Sequence, residues 1–212
     1  MRAYAARNFD VALPLLASAR DEAPDDAARV DILFHLANVH DALGHALEAL
    51  EALRDLLALD SDHPGAWNNL GVICSRIGRL DESRAAFEQA YRLDPSNAAA
   101  LASLGSVALK QSDVGAAHDY LSLALQVDGT LPVAHANMAL VLAVFGRIEE
   151  AEESLRLAVL YGFDQAEAVS ERIDRLRAHR DRVLADLAAH QAADAEPGTA
   201  TDADDVLETD AM

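Results

Sequence analysis

Three histidines in the first quarter of the chain, His35, His40 and His45, are candidates for metal ligation because neutral imidazole binds zinc. They are spaced five residues apart. On an α-helix of 3.6 residues per turn, each such step turns the side chain by about 140°, so the three rings cannot reach one ion. Asp31 and His35, four residues apart, are better placed, but two ligands without a third make a weak site. We therefore predict no metal site and no cofactor.

Two other features could carry chemistry: Cys74 and a run of glutamates. Cys74 is the only cysteine, which excludes an internal disulfide, and its predicted core position would not favour ionisation of the thiol. The glutamates begin a predicted helix, where they oppose the positive end of the helix dipole. They are Glu149, Glu150, Glu152 and Glu153. Phosphate-binding loops, nucleophile elbows, Cys-x-x-Cys pairs and His-Glu-x-x-His helices are absent from the sequence. We predict that the protein is not an enzyme.

A 34-residue repeat organises the centre of the chain. Sliding the sequence against itself by 34 residues defines four units: 30–63, 64–97, 98–131 and 132–165. Apolar residues recur at helical spacing on both sides of one shared turn, so we expect each unit to be a helical hairpin. The shared turn is marked by Gly44, Gly78, Ser112 and Gly146.

Large and small apolar residues occupy separate columns of this repeat. One column is large: Leu53, Phe87, Leu121 and Leu155. Another is small: Ala37, Gly71, Gly105 and Ala139. A larger side chain in the small column would hold two crossing helices apart. With aromatic residues at only 5%, the composition also favours helix packing over sheets.

The pattern resembles the tetratricopeptide repeat family, whose period is the same. The second unit carries the resemblance in the family's order: Trp67, Leu70, Gly71, Gly78, Ser83, Phe87, Ala90 and Pro95. Ser83 is a mild departure, and Ser61 and Gly129 replace the closing proline in the first and third units. The resemblance implies an all-α fold, an α-solenoid of tetratricopeptide helical hairpins that forms a right-handed superhelix.

The two ends depart from the repeat. Residues 1–29 are predicted to form a partial repeat, matching only a second helix, followed by an acidic loop. Its apolar face would lack its usual cover, which indicates either a truncated start or a partner. This face consists of Tyr4, Phe9 and Leu13. Residues 166–190 are predicted to form a capping helix, whose outer half could also pair as a coiled coil. Residues 191–212, with seven acids and no base, are predicted to be a disordered acidic tail.

The net charge of −19 limits the class of partner. A field of this sign repels phosphate, so we predict no nucleic-acid binding and no attraction to anionic membranes. Basic partners are favoured instead. A signal peptide and apolar stretches of membrane-spanning length are absent, so we predict no membrane insertion and a cytoplasmic location.

The resemblance also implies that first helices line a concave groove in which partners bind. The groove positions hold Asp31, Phe34, His35, Asn38, Asn68, Asn69, Arg76, Ser103, Ser106, Lys110 and Asn137. Asparagine amides there could bond a peptide backbone, or could serve only to stabilise the helices. The carboxylate clamp of chaperone-binding members is disfavoured, because its cation positions hold Phe34, Ala99 and Ser103.

Two functions follow from these features. The first is a non-enzymatic adaptor that binds a peptide segment or helix of a protein partner in the groove. The alternative is a self-assembling scaffold, a homo-oligomer joined through the N-terminal half-repeat and the C-terminal helix.

Overall fold

The computed structural model describes residues 9–195, which form α-helices joined by short connections. The helices are α1 (Phe9–Asp21), α2 (Asp26–Ala42), α3 (Ala46–Leu59), α4 (Pro64–Arg76), α5 (Leu80–Leu93), α6 (Ala98–Lys110), α7 (Val114–Val127), α8 (Pro132–Val144), α9 (Ile148–Leu160) and α10 (Ala166–Ala195). These residues include no strand, so the predicted all-α class is confirmed.

The helices pair as hairpins and stack in sequence order. The pairs α2–α3, α4–α5, α6–α7 and α8–α9 have the most extensive contacts, and each second helix also packs on the first helix of the next pair. At one end α1 packs on α2, and at the other α10 packs on α8 and α9. Contacts are thus made between neighbours along the chain, which is the arrangement of an α-solenoid.

Local sequence sets where the first helices begin. Asp25, His63 and Asn97 are N-cap residues whose side chains accept hydrogen bonds from backbone amides three residues later, at 2.8–3.0 Å. Such caps satisfy amide groups that have no partner within the helix. Pro64 and Pro132 occupy the first helical position of α4 and α8, where the missing amide hydrogen costs nothing.

The small column lies where the two helices of a hairpin cross. A Cβ atom added to Gly71 would lie 2.7 Å from Phe87 Cε1, and one added to Gly105 would lie 2.5 Å from Leu121 Cγ. Phe87 and Leu121 are themselves buried. The predicted link between the large and small columns is therefore a direct contact, in which the large side chain lies against the backbone of the first helix.

The shared turn requires a left-handed backbone. Gly44, Gly78 and Gly146 adopt φ values of 80°, 81° and 76°, whereas the third unit has Ser112 at φ 62°. Glycine adopts this conformation without strain, but other L-residues meet a steric cost there. Ser112 is exposed and its side chain makes no hydrogen bond within the described residues, so no contact offsets this cost.

We expect Ser112→Gly to raise the free energy of unfolding by about 0.5 kcal/mol. The left-handed conformation costs a non-glycine residue roughly 1–2 kcal/mol, which glycine avoids. Glycine also gives the unfolded chain more conformational freedom, and this offsets part of the stabilisation. Urea unfolding followed by circular dichroism measures the change. The reverse substitution at the matched turn, Gly78→Ser, should lower stability, and two changes of the same sign would contradict the explanation.

The ends of the array differ in how well they are covered. At the N-terminal end Phe9 and Leu13 are partly buried against the first core cluster, while Tyr4 lies outside the described residues. At the C-terminal end Ile173 is buried, with Val169 and Leu176 packed beside it, as expected for a cap. Helix α10 continues through Ala195, past the predicted end near His190, because alanine-rich sequence there favours helix. Of the predicted disordered tail, residues 196–212 lie outside the described part.

Candidate binding groove

The predicted groove residues lie on the first helices, α2, α4, α6 and α8. Helix α6 contacts both α4 and α8, whereas contacts of similar extent do not join successive second helices in residues 9–195. First helices are therefore closer together than second helices, and the stack curves with the first helices on its inner side. We call this inner surface the groove.

Polar side chains join neighbouring first helices along the groove. Asn69 Nδ2 donates to Asn38 Oδ1 at 2.8 Å, and Asn137 Nδ2 donates to Ser106 Oγ at 2.6 Å. Both bonds link the ninth position of one unit to the sixth position of the next. They are partly buried, so each contributes to holding two units in register.

A second set of bonds links later positions of the same helices. Lys110 Nζ donates to Ser75 Oγ at 2.7 Å, and the Arg76 guanidinium pairs with the Asp41 carboxylate. The Asp41 carboxylate neutralises the positive charge of Arg76. The Ser75 hydroxyl is neutral, so it does not neutralise the charge of Lys110. Lys110 therefore keeps a positive charge that a guest could use.

The groove asparagines could bond a peptide backbone or could serve only to stabilise the helices, and these bonds give evidence on both roles. Asn38, Asn69 and Asn137 are half-buried and each bonds a neighbouring unit, so they do stabilise the array. Capacity remains for a guest, because the amide nitrogen of Asn38 and the amide oxygens of Asn69 and Asn137 make no hydrogen bond within the described residues. The structural role and a binding role are thus compatible.

The remaining predicted residues are spread along the surface. Asp31 is exposed at the N-terminal end, and His35 lies beside the ring of Phe34, 6.3 Å between centroids. The Phe34 ring also packs against His63 at the start of α4, at 5.0 Å. Asn68 and Ser103 are half-buried and make no side-chain hydrogen bond within residues 9–195.

An open cavity of about 810 Å³ lies at the C-terminal end of the groove, between α6, α8 and the start of α10. Three of the predicted groove residues line it, Ser106, Lys110 and Asn137, together with Leu109 from α6. Leu140 and Val133 add apolar surface from α8, and Phe163 and Arg172 add an aromatic ring and a cation from beyond the fourth unit. We call this the C-terminal cavity.

Phe163 and Arg172 were not among the predicted site residues. The signal was present in the sequence, since Gly162 and Phe163 replace the usual Asp-Pro at the end of the fourth unit. This change places Phe163 beside the groove, and Arg172 follows on the first turns of α10. Arg172 forms no ion pair within the described residues, so this end carries two cationic side chains, Lys110 and Arg172, and one carboxylate, Asp164.

Most of the candidates for catalysis are buried or paired; Glu149 is exposed. Cys74 is fully buried, and burial raises the pKa of its thiol. His40 is half-buried, and burial lowers the pKa of its imidazole. Glu150, Glu152 and Glu153 form ion pairs with arginines. Within residues 9–195, no group of three histidine, cysteine or acidic side chains is arranged to hold a metal ion.

Comparisons with known proteins match the central part of this solenoid to a family of helical repeats. Residues 34–98 and 75–132 match the family described as tetratricopeptide repeat. Tetratricopeptide repeat protein 8 of Caenorhabditis elegans is 31% identical over 83 residues, which cover 39% of this chain and 16% of that protein. The repeats within residues 34–132 are therefore tetratricopeptide repeats. Because the chain spans about a sixth of this relative, the similarity concerns the repeats and not the whole protein.

Solved structures share the fold at lower sequence identity. MamA superposes with a TM-score of 0.68 at 20% identity, covering 78% of this chain and 95% of the MamA chain. YrrB, described as a tetratricopeptide repeat protein with an unusual peptide-binding site, superposes with a TM-score of 0.61 at 21% identity, covering 78% and 84%. Within residues 9–195, no helix combines the length and the apolar character needed to cross a membrane.

Proposed function

We propose that the protein is a non-enzymatic adaptor that binds a segment of a protein partner in the groove. The observation that carries this proposal is the continuous inner surface formed by α2, α4, α6 and α8, which ends in the C-terminal cavity. Stacked repeats present extended concave surfaces of this kind to partners. YrrB, which has the same fold, is described as having a peptide-binding site.

The charges along the groove suggest the chemistry of the bound segment. Asp31 lies near one end. At the other end Lys110 and Arg172 outnumber the one carboxylate, Asp164, and lie beside the apolar side chains of Leu140 and Phe163. A complementary segment has a basic residue at one end and an apolar residue next to an acidic residue at the other. The net charge of −19 disfavours nucleic acid as a partner. The cytoplasmic location stays a prediction.

Substitution of five groove residues by alanine should weaken binding of a captured partner at least tenfold. The five are Asn38, Asn69, Arg76, Lys110 and Asn137. The partner is obtained by affinity capture from native cells and identified, and its dissociation constant is then measured by titration. Because these side chains also join the units, helical content and melting temperature are compared with those of the unmodified chain.

A second variant separates binding from stability. Val72 and Val133 are exposed on first helices and take no part in the bonds between units, so Val72→Asp with Val133→Asp should block the groove without loosening it. Val159→Asp, at a similarly exposed valine on the second helix α9, is the matched control and should bind normally. Unchanged affinity in both groove variants would show that the partner binds elsewhere.

A second candidate function is self-assembly through the two ends of the array. Exposed leucines favour it: Leu15 on α1 is 61% exposed, and Leu184 and Leu187 on α10 are 56% and 53% exposed. Large apolar side chains clustered at both ends of one chain indicate contact surfaces. The two surfaces meet at the N-terminal end of the array, where the groove residues Asp31 and His35 line the same cleft as Leu15.

A further inference from the structure

Helix α1 occupies the place of a second helix, but no first helix precedes it in the described residues. A cleft of about 370 Å³ lies open between α1 and α2, with lining residues that include Leu15, Leu16, Ala19 and Ile32. In three of the four complete units the residue that corresponds to Leu15 is buried: Ala52, Ala86 and Ser154 are 8%, 1% and 7% exposed. In the third unit it is Tyr120, which is half-buried. The cleft therefore has the position of a missing first helix.

The contacts of the complete units specify what such a helix needs. Leu16 corresponds to Phe87 and Leu121, which lie against the small residues Gly71 and Gly105 of their own first helices. In each of those first helices a large residue lies four positions before the glycine, and a leucine lies one position before the glycine. The third unit has this pattern as Leu101, Leu104 and Gly105 in the sequence LASLG.

The outer half of α10 repeats this pattern. Residues 184–188 read LADLA, with Leu184, Leu187 and Ala188 at the spacing of Leu101, Leu104 and Gly105. Placed in the same register, a first helix would cover residues 181–193, all of which lie within α10. Its length, 13 residues, equals that of α4, α6 and α8.

The described apolar residues of this half of α10 are not buried against the rest of residues 9–195. Arg180 is the last residue of α10 that bonds the body, donating to the backbone oxygen of Gly146 at 3.1 Å, and from Asp181 onward the described side chains are exposed. The corresponding leucines of the third unit, Leu101 and Leu104, are fully buried. The same residue pattern is thus buried in the repeats and exposed at the end of α10.

We propose that residues 181–193 of one copy dock in the α1–α2 cleft of a second copy and complete its half-repeat as the missing first helix. The proposal rests on the second candidate function and names its two surfaces. Because the surfaces differ, the contact is head-to-tail and leaves one cleft and one helix free in each dimer. Longer chains of copies therefore form as concentration rises.

Mixing two defective variants tests this contact with the full chain. Leu15→Asp blocks the cleft but leaves α10 intact, and Leu184→Asp with Leu187→Asp blocks α10 but leaves the cleft intact. Sedimentation equilibrium should show a mass above the 22.6 kDa of one chain for the unmodified protein, rising with concentration. Each variant alone should remain at one chain, and their equimolar mixture should stop at two, because only one working contact exists.

The controls separate failure of this contact from failure of assembly itself. Leu160→Asp, at an exposed leucine on α9 outside both surfaces, should assemble like the unmodified chain, and circular dichroism verifies that every variant is folded. An unmodified protein that stays a single chain at all concentrations would overturn both assembly and the proposed contact. If Leu15→Asp still dimerises while the α10 variant does not, α10 pairs with α10, and assembly survives but the proposed contact does not.

Discussion

Replacing Phe87 by alanine should lower the free energy of unfolding by about 3–5 kcal/mol, a large part of the stability of a typical domain. Phe87 is 2% exposed and its ring lies against Gly71, so alanine leaves a cavity at the crossing of α4 and α5. The neighbouring backbone cannot close this cavity easily, because the same crossing positions the hairpins on both sides. Urea unfolding followed by circular dichroism measures the loss.

The matched control for this substitution is Phe145→Ala. Phe145 is 48% exposed at the end of α8, where its ring contacts His118 at 5.9 Å between centroids. Truncation there removes little buried surface, and we expect a loss below about 1 kcal/mol. Equal losses in the free energy of unfolding at the two positions would show that the contact of Phe87 with Gly71 does not stabilise the fold more than an exposed contact does.

Replacing Gly105 by valine should destabilise the same kind of crossing from the other side, by about 3 kcal/mol. A Cβ atom at this position would lie 2.5 Å from Leu121 Cγ and 2.7 Å from Leu121 Cδ2, so α6 and α7 must move apart. Overpacking of this kind typically costs 1–3 kcal/mol, and valine adds two further methyl groups. The free energy of unfolding is measured as for Phe87→Ala.

Gly115→Val provides the control with the same change of residue. Gly115 lies in α7 and is exposed, and a Cβ atom added there would meet only Asp113 Oδ1, at 3.9 Å. Valine is slightly better than glycine within a helix, so the stability should change by less than about 0.5 kcal/mol. A large loss at Gly115 would mean that replacing glycine by valine destabilises these helices even where the Cβ atom has space, and that the close approach at Gly105 does not determine the result.

Features that depend on contacts within one hairpin could be predicted from the sequence. The Gly71–Phe87 contact repeats with the period of the chain, and the turn glycines mark where each hairpin bends, so both follow from residue types at fixed spacing. The apolar face of α10 also follows from spacing, since Val169, Ile173 and Leu176 recur at helical intervals, and all three pack on the core.

Features that depend on how one hairpin sits on the next could not be predicted in the same way. The bonds of Asn38 to Asn69 and of Ser106 to Asn137 require a particular rise and rotation between units, which a repeat period does not specify. The C-terminal cavity likewise depends on the angle at which α10 leaves the fourth unit, and this angle places Arg172 beside Lys110. The eleven predicted groove residues therefore stay predictions as a binding site.

The spacing of the helices gives the array a preferred direction of bending. First helices bond one another along the groove through a few polar side chains, while each second helix packs on the next first helix and not on the next second helix, so we expect rotation between units to open or close the outer side. A guest that reaches from Asp31 to Arg172 would bridge several of these joints and fix the pitch of the superhelix. Occupancy of the groove would then be transmitted to both ends of the molecule as a change in their separation, which small-angle X-ray scattering can measure.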